Sequence, residues 1–189
     1  MAIRVHTSMT LDGFSADTNG WPVLLHMPEF RSGVSYGHEE FFAQCTAVIM
    51  GRHTFEPALG ASDWPWPGKK VFVLSTGQVD VPADQDVTVC ATVADVLAAL
   101  PAGDAQLLGG PSAIAAFHQA GAVDRFEIVL LPLLMGKGMP LFPLGDDTRP
   151  LSFSEQVVYP DGTIKLCYDV AMPDSVTRYQ LSQTSSATE

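Results

Sequence analysis

Short apolar runs separated by polar, turn-forming stretches recur along this chain of 189 residues. The runs are rich in β-branched residues, which is typical of buried strands. Segments with apolar residues at every third or fourth position follow several of them and predict helices. This alternation predicts an α/β fold in which a mostly parallel sheet carries helices on both faces. The clearest runs are AVIM (47–50), KVFVL (70–74), VTVC (87–90), AQLL (105–108) and RFEIVLLP (125–132).

The two ends of the chain carry different patterns. In residues 3–7, apolar and polar positions alternate, which predicts an N-terminal strand. Residues 153–170 form two strand-like runs around a Pro-Asp-Gly sequence, which predicts an antiparallel hairpin at the sheet edge. The sequence after residue 172 is polar and has no periodicity. We therefore predict one domain over 1–172 and a polar tail over 173–189.

Composition limits the classes of protein to consider. Hydrophobic residues make up 47% of the chain and charged residues 16%, which is enough apolar material for a core. The net charge of -11 argues against nucleic acid as a partner, because phosphate backbones need a basic face. No apolar run approaches the ~20 residues of a membrane span, and no signal peptide is recognised, so a cytoplasmic location is expected. Cys45, Cys90 and Cys167 are widely spaced, which predicts free thiols and no metal site.

Residues suited to phosphate follow the strand predicted at 47–50. Gly51 ends this run, and Arg52, His53 and Thr54 come next. Glycine lets a ligand approach the backbone, and arginine offers a planar fork of donors to phosphate. The Thr54 hydroxyl suits a helix cap beside an anion. The same four residues also fit an ordinary strand–turn–helix with a solvated arginine.

Two further strand ends have the same character. Gly109 and Gly110 precede a predicted helix whose first-turn N–H groups, with Ser112, suit a diphosphate, although the glycines also suit a tight turn. Ser75 and Thr76 follow a third strand, where hydroxyls most often form turns. Ligands bind at the carboxyl ends of parallel strands. Together the three strand ends predict one extended ligand with several phosphates.

Several sequence blocks resemble the dihydrofolate reductase superfamily over roughly residues 1–170. Within it, the chain looks most like the branch that contains the reductase domain of the bifunctional riboflavin-biosynthesis deaminase-reductase. The resemblance implies a three-layer α/β/α fold with a mostly parallel central sheet and a C-terminal antiparallel hairpin. It also implies an NADPH-dependent reductase. The blocks are SMTLDGF (8–14), VIMGRHTFE (48–56), PGKKVFVLSTG (67–77), LLGG (107–110) and LPLLMGKGMPLFP (131–143).

The resemblance also implies a role for each matching residue. Arg52, with Ser75 and Thr76, would contact the 2′-phosphate of NADPH, and the glycine pair would admit its diphosphate. The loop at 11–14 would lie beside the nicotinamide. The residues implied to bind the cofactor are Met9, Gly51, Arg52, His53, Thr54, Ser75, Thr76, Gly109, Gly110 and Ser112.

Candidates for the substrate side are fewer. Asp12 is a candidate catalytic or substrate-binding residue, although Asp-Gly is also a common turn. Trp21 suits either the wall of a substrate cleft or loop packing. Folate enzymes carry a carboxylate on the helix before the Met-Gly-Arg block. Here Glu39 or Glu40 could take that place, or could simply favour the helix N-terminus, so folate is not the expected substrate.

The remaining histidines show no spacing typical of a metal site, and a structural or surface role is predicted for them. They are His6, His26, His38 and His118.

The leading functional hypothesis is an NADPH-dependent oxidoreductase that reduces a small heterocyclic or carbonyl substrate. The alternative is an NADP(H)-binding module without turnover. The apolar stretch from Leu130 to Phe142 predicts a homodimer, and the resembled branch tends to pair through its sheet edge.

Overall fold

An eight-stranded sheet forms the centre of the structure, a computed structural model that describes residues 1–142 and 149–170. Six neighbouring strands are parallel, and the last two form an antiparallel hairpin at the edge. The predicted mostly parallel sheet and C-terminal hairpin are confirmed. In spatial order the strands are β5 (Val87–Cys90), β4 (Lys70–Leu74), β3 (Cys45–Gly51), β6 (Asp104–Gly109), β1 (Ile3–Thr10), β7 (Arg125–Leu131), β10 (Ile164–Val170) and β9 (Leu151–Val158).

Helices cover both faces of the sheet, which confirms the three-layer α/β/α architecture. Two helices, α4 (Val93–Ala99) and α5 (Pro111–Gln119), pack on one face. The opposite face is covered by the longer segment between β1 and β3 and by the helix after β3. That layer contains a 3₁₀ helix (Val23–His26), α1 (Pro28–Arg31), α2 (His38–Gln44) and α3 (Arg52–Ala58).

The two faces of the sheet differ in polarity. The face under α4 and α5 is apolar, and residues such as Val5, Ile49 and Leu107 are fully buried there. The other face carries two separate apolar clusters, one around Phe55 and one around Tyr36. Between these clusters, β1 and β6 place polar side chains that we call the polar strip. Its members are Arg4, His6, Ser8, Thr10 and Gln106.

Two helices, α4 and α5, begin at residues with clear local signals. Thr92 caps α4 in a reciprocal capping box with Asp95, and Pro111 opens α5. The cap predicted at Thr54 is wrong. Gly51 is the capping residue of α3, and the helix begins directly at Arg52, so Thr54 lies inside its first turn.

The loop predicted after β1 contains one short strand. Here β2 (Phe14–Ala16) pairs with β8 (Met139–Pro140) in a two-stranded sheet. No helix in the described ranges is long and apolar enough to cross a membrane. The tail predicted at 173–189 lies outside the described residues.

Candidate functional site

The carboxyl ends of four parallel strands meet at one rim of the sheet. The strand order across this rim is β4, β3, β6 and β1. Gly51 is the register partner of Leu74, and Met50 is the partner of Gly109, so the three phosphate-compatible segments are neighbours. Adjacent strands are about 4.8 Å apart, and these four therefore span roughly 14 Å. The rim brings together the residues that the sequence placed at separate strand ends.

At the β4 end of the rim, Arg52 lies against the loop that follows β4. A Cβ built on Gly77 would be 3.3 Å from Arg52 Nη1, so the guanidinium lies beside the backbone of this loop. The Ser75 hydroxyl exchanges hydrogen bonds with the backbone of Gly77 and is already used within the turn. Thr76 is exposed, and its hydroxyl makes no hydrogen bond to the described residues. Arg52 and Thr76 are therefore the better-placed donors for an anion here.

At the centre of the rim, the glycine pair faces the start of α3. Gly109 has a φ of 129°, a left-handed conformation that favours glycine, and the peptide bond to Gly110 is cis. A Cβ on Gly110 would be 3.4 Å from Thr54 Oγ1, and one on Gly51 would meet only Ala113, at 3.7 Å. A side chain added at either glycine would therefore be in van der Waals contact with the neighbouring helix. His53 and Ser112 are both exposed in the first turns of α3 and α5.

At the β1 end of the rim, Asp12 connects the loop after β1 to the loop at 133–136 through hydrogen bonds. Its carboxylate accepts hydrogen bonds from Thr10 Oγ1 at 2.6 Å, Gly136 N at 2.7 Å and Met135 N at 3.1 Å. The Thr10 hydroxyl, followed by the Gly136 amide, lowers the pKa of Asp12 below its ordinary value. An ionised acceptor with these partners is suited to holding the loop at 133–136 and unsuited to donating a proton. The catalytic role of Asp12 stays a prediction.

The other residues predicted for the β1 end lie in different surroundings. Met9 is half-buried and packs on the apolar core beneath α4 and α5. Trp21 is 61% exposed in the turn after β2. Glu40 is exposed on α2 and lines a cavity of about 580 Å³ between α2 and the β7–β10–β9 part of the sheet. That cavity contains none of the predicted cofactor residues, so Glu40 lies apart from the rim.

The polar strip was not predicted from the sequence, because His6 and His38 were expected to have only a structural or surface role. His6 is 5% exposed, and burial followed by the charge of nearby His38 lowers the pKa of His6 to about 3. His38 lies above it at the start of α2, with 3.2 Å between its Nε2 and the Nε2 of Gln106. A signal was present, since the even-numbered positions of β1 are polar although the strand is central and should be apolar on both faces.

Known proteins with the same fold agree with the strand order described above. The strand order, the glycine pair before α5 and the edge hairpin define a dihydrofolate reductase-like fold of the reductase type. The chain belongs to the RibD C-terminal domain family, whose model matches residues 1–164. Within the described residues, no group of three or more His, Cys, Asp or Glu side chains is arranged to hold a metal ion.

Three relatives illustrate the match. The uncharacterized protein YwjB of Bacillus subtilis (strain 168) is 27% identical over 146 residues, which is 73% of this chain and 80% of YwjB. A structure assigned to riboflavin biosynthesis from Shewanella sp. PV-4 is 28% identical, with a TM-score of 0.79 over 91% of this chain and 100% of that one. A diaminohydroxyphosphoribosylaminopyrimidine deaminase/5-amino-6-(5-phosphoribosylamino)uracil reductase from Thermotoga maritima has a TM-score of 0.70 at 15% identity, over 90% of this chain and 56% of that one. At that identity the Thermotoga likeness supports the fold alone.

Proposed function

We propose that this protein is an NADPH-dependent oxidoreductase that reduces a small heterocyclic or carbonyl substrate. The observation that carries the proposal is the order of residues along the rim. Arg52 and Thr76 occupy one end, the glycine pair occupies the centre, and the end of β1 follows. This order matches the sequence of groups in a dinucleotide phosphate, from the 2′-phosphate through the diphosphate to the nicotinamide.

The residues on the rim fit such a cofactor. Arg52 supplies a bidentate donor for a 2′-phosphate. Because Gly51 and Gly110 carry no side chain, a diphosphate would be able to approach their backbone closely. When bound, the cofactor supplies the hydride, and the protein's part is to orient the substrate against it.

Proton supply is the remaining chemical requirement. The Asp12 carboxylate already accepts hydrogen bonds from the backbone of the loop at 133–136. We therefore infer that water delivers the proton to the reduced substrate. The same observation favours the second candidate, an NADP(H)-binding module without turnover. The test measures NADPH binding first and then NADPH consumption with a panel of pterins, pyrimidines and quinones. Binding without consumption across the panel would support the module and contradict the reductase.

We expect dihydrofolate reduction to be absent or weak. Both acidic residues of α2, Glu39 and Glu40, are exposed, and Glu40 lines the cavity that lies apart from the rim, so we do not expect either carboxylate to hold a pterin ring at the rim. A missing charge-assisted pair costs about 1.5–3 kcal/mol, which is roughly a ten- to hundredfold loss of affinity. Steady-state NADPH oxidation with dihydrofolate measures this directly, and Glu40→Gln is the matched variant. Efficient turnover that Glu40→Gln abolishes would assign Glu40 to the pterin and contradict the expectation.

We propose that two copies of the chain pair in solution. Leu134 is 70% exposed in the apolar stretch from Leu130 to Phe142, and Phe153 is 58% exposed on β9, one of the two edge strands of the sheet. Exposed apolar edges are usually covered. Light scattering at micromolar concentration should give twice the chain mass of 20.2 kDa. Phe153→Lys should shift the protein towards monomer, and a wild-type mass near 20.2 kDa would contradict pairing.

A further inference from the structure

The cavity of about 580 Å³ between α2 and the β7–β10–β9 part of the sheet contains charged groups of both signs. Its volume is in the range typical of small-molecule sites. Three of the ten Lys and Arg residues of the chain line it, together with three carboxylates. In a chain with a net charge of -11, this cavity is therefore electrically balanced. The cations are Arg4, Arg125 and Lys165, and the carboxylates are those of Glu40, Glu127 and Glu155.

The charged groups at one end of the cavity are already paired with one another. The Glu127 side chain is 5% exposed, and its carboxylate accepts hydrogen bonds from Arg4 and lies 3.4 Å from Arg125 Nε. Arg125 also pairs with Asp169 at 3.0 Å. These pairs stabilise that end of the cavity, and a ligand would gain little by contacting them.

The other end of the cavity carries donors without partners. In the part of the chain that the structure describes, Lys165 forms no ion pair, and the hydroxyls of Tyr159 and Ser35 make no hydrogen bond. Lys165 Nζ and Tyr159 Oη lie 2.9 and 3.5 Å from the point that a Cβ on Gly37 would occupy, so the ammonium and the hydroxyl are neighbours. An ammonium beside a hydroxyl is suited to bind a carboxylate.

Glu40 adds an acceptor close to these donors. Its carboxylate makes no ion pair or hydrogen bond to any residue in the described ranges. Burial, followed by the negative charge of Glu40, raises the pKa of Tyr159, so the Tyr159 hydroxyl stays protonated and remains a donor. A ligand with only an anionic group would be repelled by Glu40. A ligand that also carries an ammonium group would be attracted by both charges.

Lys165 and Glu40 lie on opposite walls of the cavity. Glu40 is on α2 and Lys165 is on β10, and the two charges are too far apart to form a direct ion pair. On β10, Lys165 is two residues from Cys167, the register partner of Glu127, so it lies roughly 7 Å along the strand from that buried carboxylate. A small molecule with both charges would fit between the walls and pair with each of them.

We propose that this cavity is a second binding site, and that it takes a free α-amino acid or a similar small zwitterion. The carboxylate of the ligand would bind Lys165 and Tyr159, and its ammonium group would bind Glu40. None of the residues predicted to bind the cofactor lines the cavity. The proposal therefore goes beyond the reductase function and does not depend on it.

L-Glutamine and two of its analogues test the two halves of this assignment. Glutaramate lacks the ammonium group, and L-glutaminamide lacks the carboxylate. In an NMR titration of the full-length protein, L-glutamine should shift the backbone amide of Gly37. Each analogue should bind at least about tenfold more weakly, because each loses one charge-assisted interaction. Lys165→Met and Glu40→Gln should each weaken L-glutamine binding by about the same factor.

Matched variants separate loss of the site from loss of the fold. Lys70 is a half-buried lysine on β4, five strands away from β10, and Lys70→Met should keep the wild-type affinity. Tyr159→Phe keeps the ring, removes only the hydroxyl and should also weaken L-glutamine binding. Every variant should bind NADPH as the wild type does.

Three results would overturn the zwitterion site. They are no shift of the Gly37 amide with L-glutamine, equal affinity of the wild type for all three probes, and unchanged L-glutamine binding by Lys165→Met. Each of them would leave the reductase proposal standing, because that proposal is tested by NADPH binding and consumption.

Discussion

Gly110→Val is expected to abolish NADPH binding while leaving the fold in place. Gly110 has a φ of -73°, which any residue adopts, and among the described residues an added Cβ would meet only Thr54 Oγ1, at 3.4 Å. The backbone therefore tolerates the change. The branches of valine, however, would occupy the space at the centre of the rim where we place the diphosphate. Gly109 is a poorer choice for this test, because its φ of 129° would make any substitution there strained.

Thermal melts with and without NADPH measure the effect. A ligand at a hundred times its dissociation constant stabilises the folded state by about 2.7 kcal/mol. We expect this stabilisation in wild type and its complete loss in Gly110→Val, with an intermediate loss in Gly110→Ala. Gly60→Val, on the loop after α3, is the matched glycine substitution away from the rim and should keep the full shift. Normal stabilisation of a folded Gly110→Val protein by NADPH would remove the glycine pair from the cofactor site.

Arg52→Ala should weaken NADPH binding tenfold or more and change NADH binding much less. A charge-assisted hydrogen bond contributes about 1.5–3 kcal/mol, and NADH lacks the phosphate that would accept it. Among the described residues, Arg52 makes a 3.8 Å ion pair with Glu56, and both side chains are well exposed. Such a pair is worth little, so the guanidinium can turn to an anion at small cost.

Titration of both cofactors against wild type and Arg52→Ala gives the two ratios directly. Arg31→Ala removes the same charge from α1 and controls for the overall field of a chain with a net charge of -11. Equal losses of NADPH and NADH affinity in Arg52→Ala would show that Arg52 does not recognise the 2′-phosphate. An equal effect of Arg31→Ala would assign the loss to general electrostatics.

The sequence predicted the sheet well because its signals there are local. Each β-branched run became a strand, and the Pro160-Asp161-Gly162 turn closed the edge hairpin. The residues of the rim were predicted for the same reason. The carboxyl ends of parallel strands lie at one edge of the sheet, and this does not depend on the loops between them. Their proposed contacts with NADPH came from the family resemblance, and these remain predictions.

The substrate side of the site was harder to predict from the sequence. Its contacts join residues far apart in the chain, or they depend on how a helix is rotated about its axis. Asp12 meets Met135 and Gly136 across more than a hundred residues, which no local pattern specifies. Which of His38, Glu39 and Glu40 faces the sheet depends on where α2 begins. A shift of one residue rotates a helix by about 100°. The start is fixed by Gly37, whose φ of 82° ends the preceding turn.

Strand β1 also has a consequence for how the chain is made. It leaves the ribosome well before its neighbours β6 and β7, which begin only at Asp104 and Arg125. At 5–20 residues per second, β1 waits on the order of ten seconds for its partners. Polar side chains such as Arg4, His6 and Ser8 keep one face of the waiting strand hydrated, and this opposes self-association. The same substitutions that would make β1 a more stable central strand would make the nascent chain more prone to aggregate.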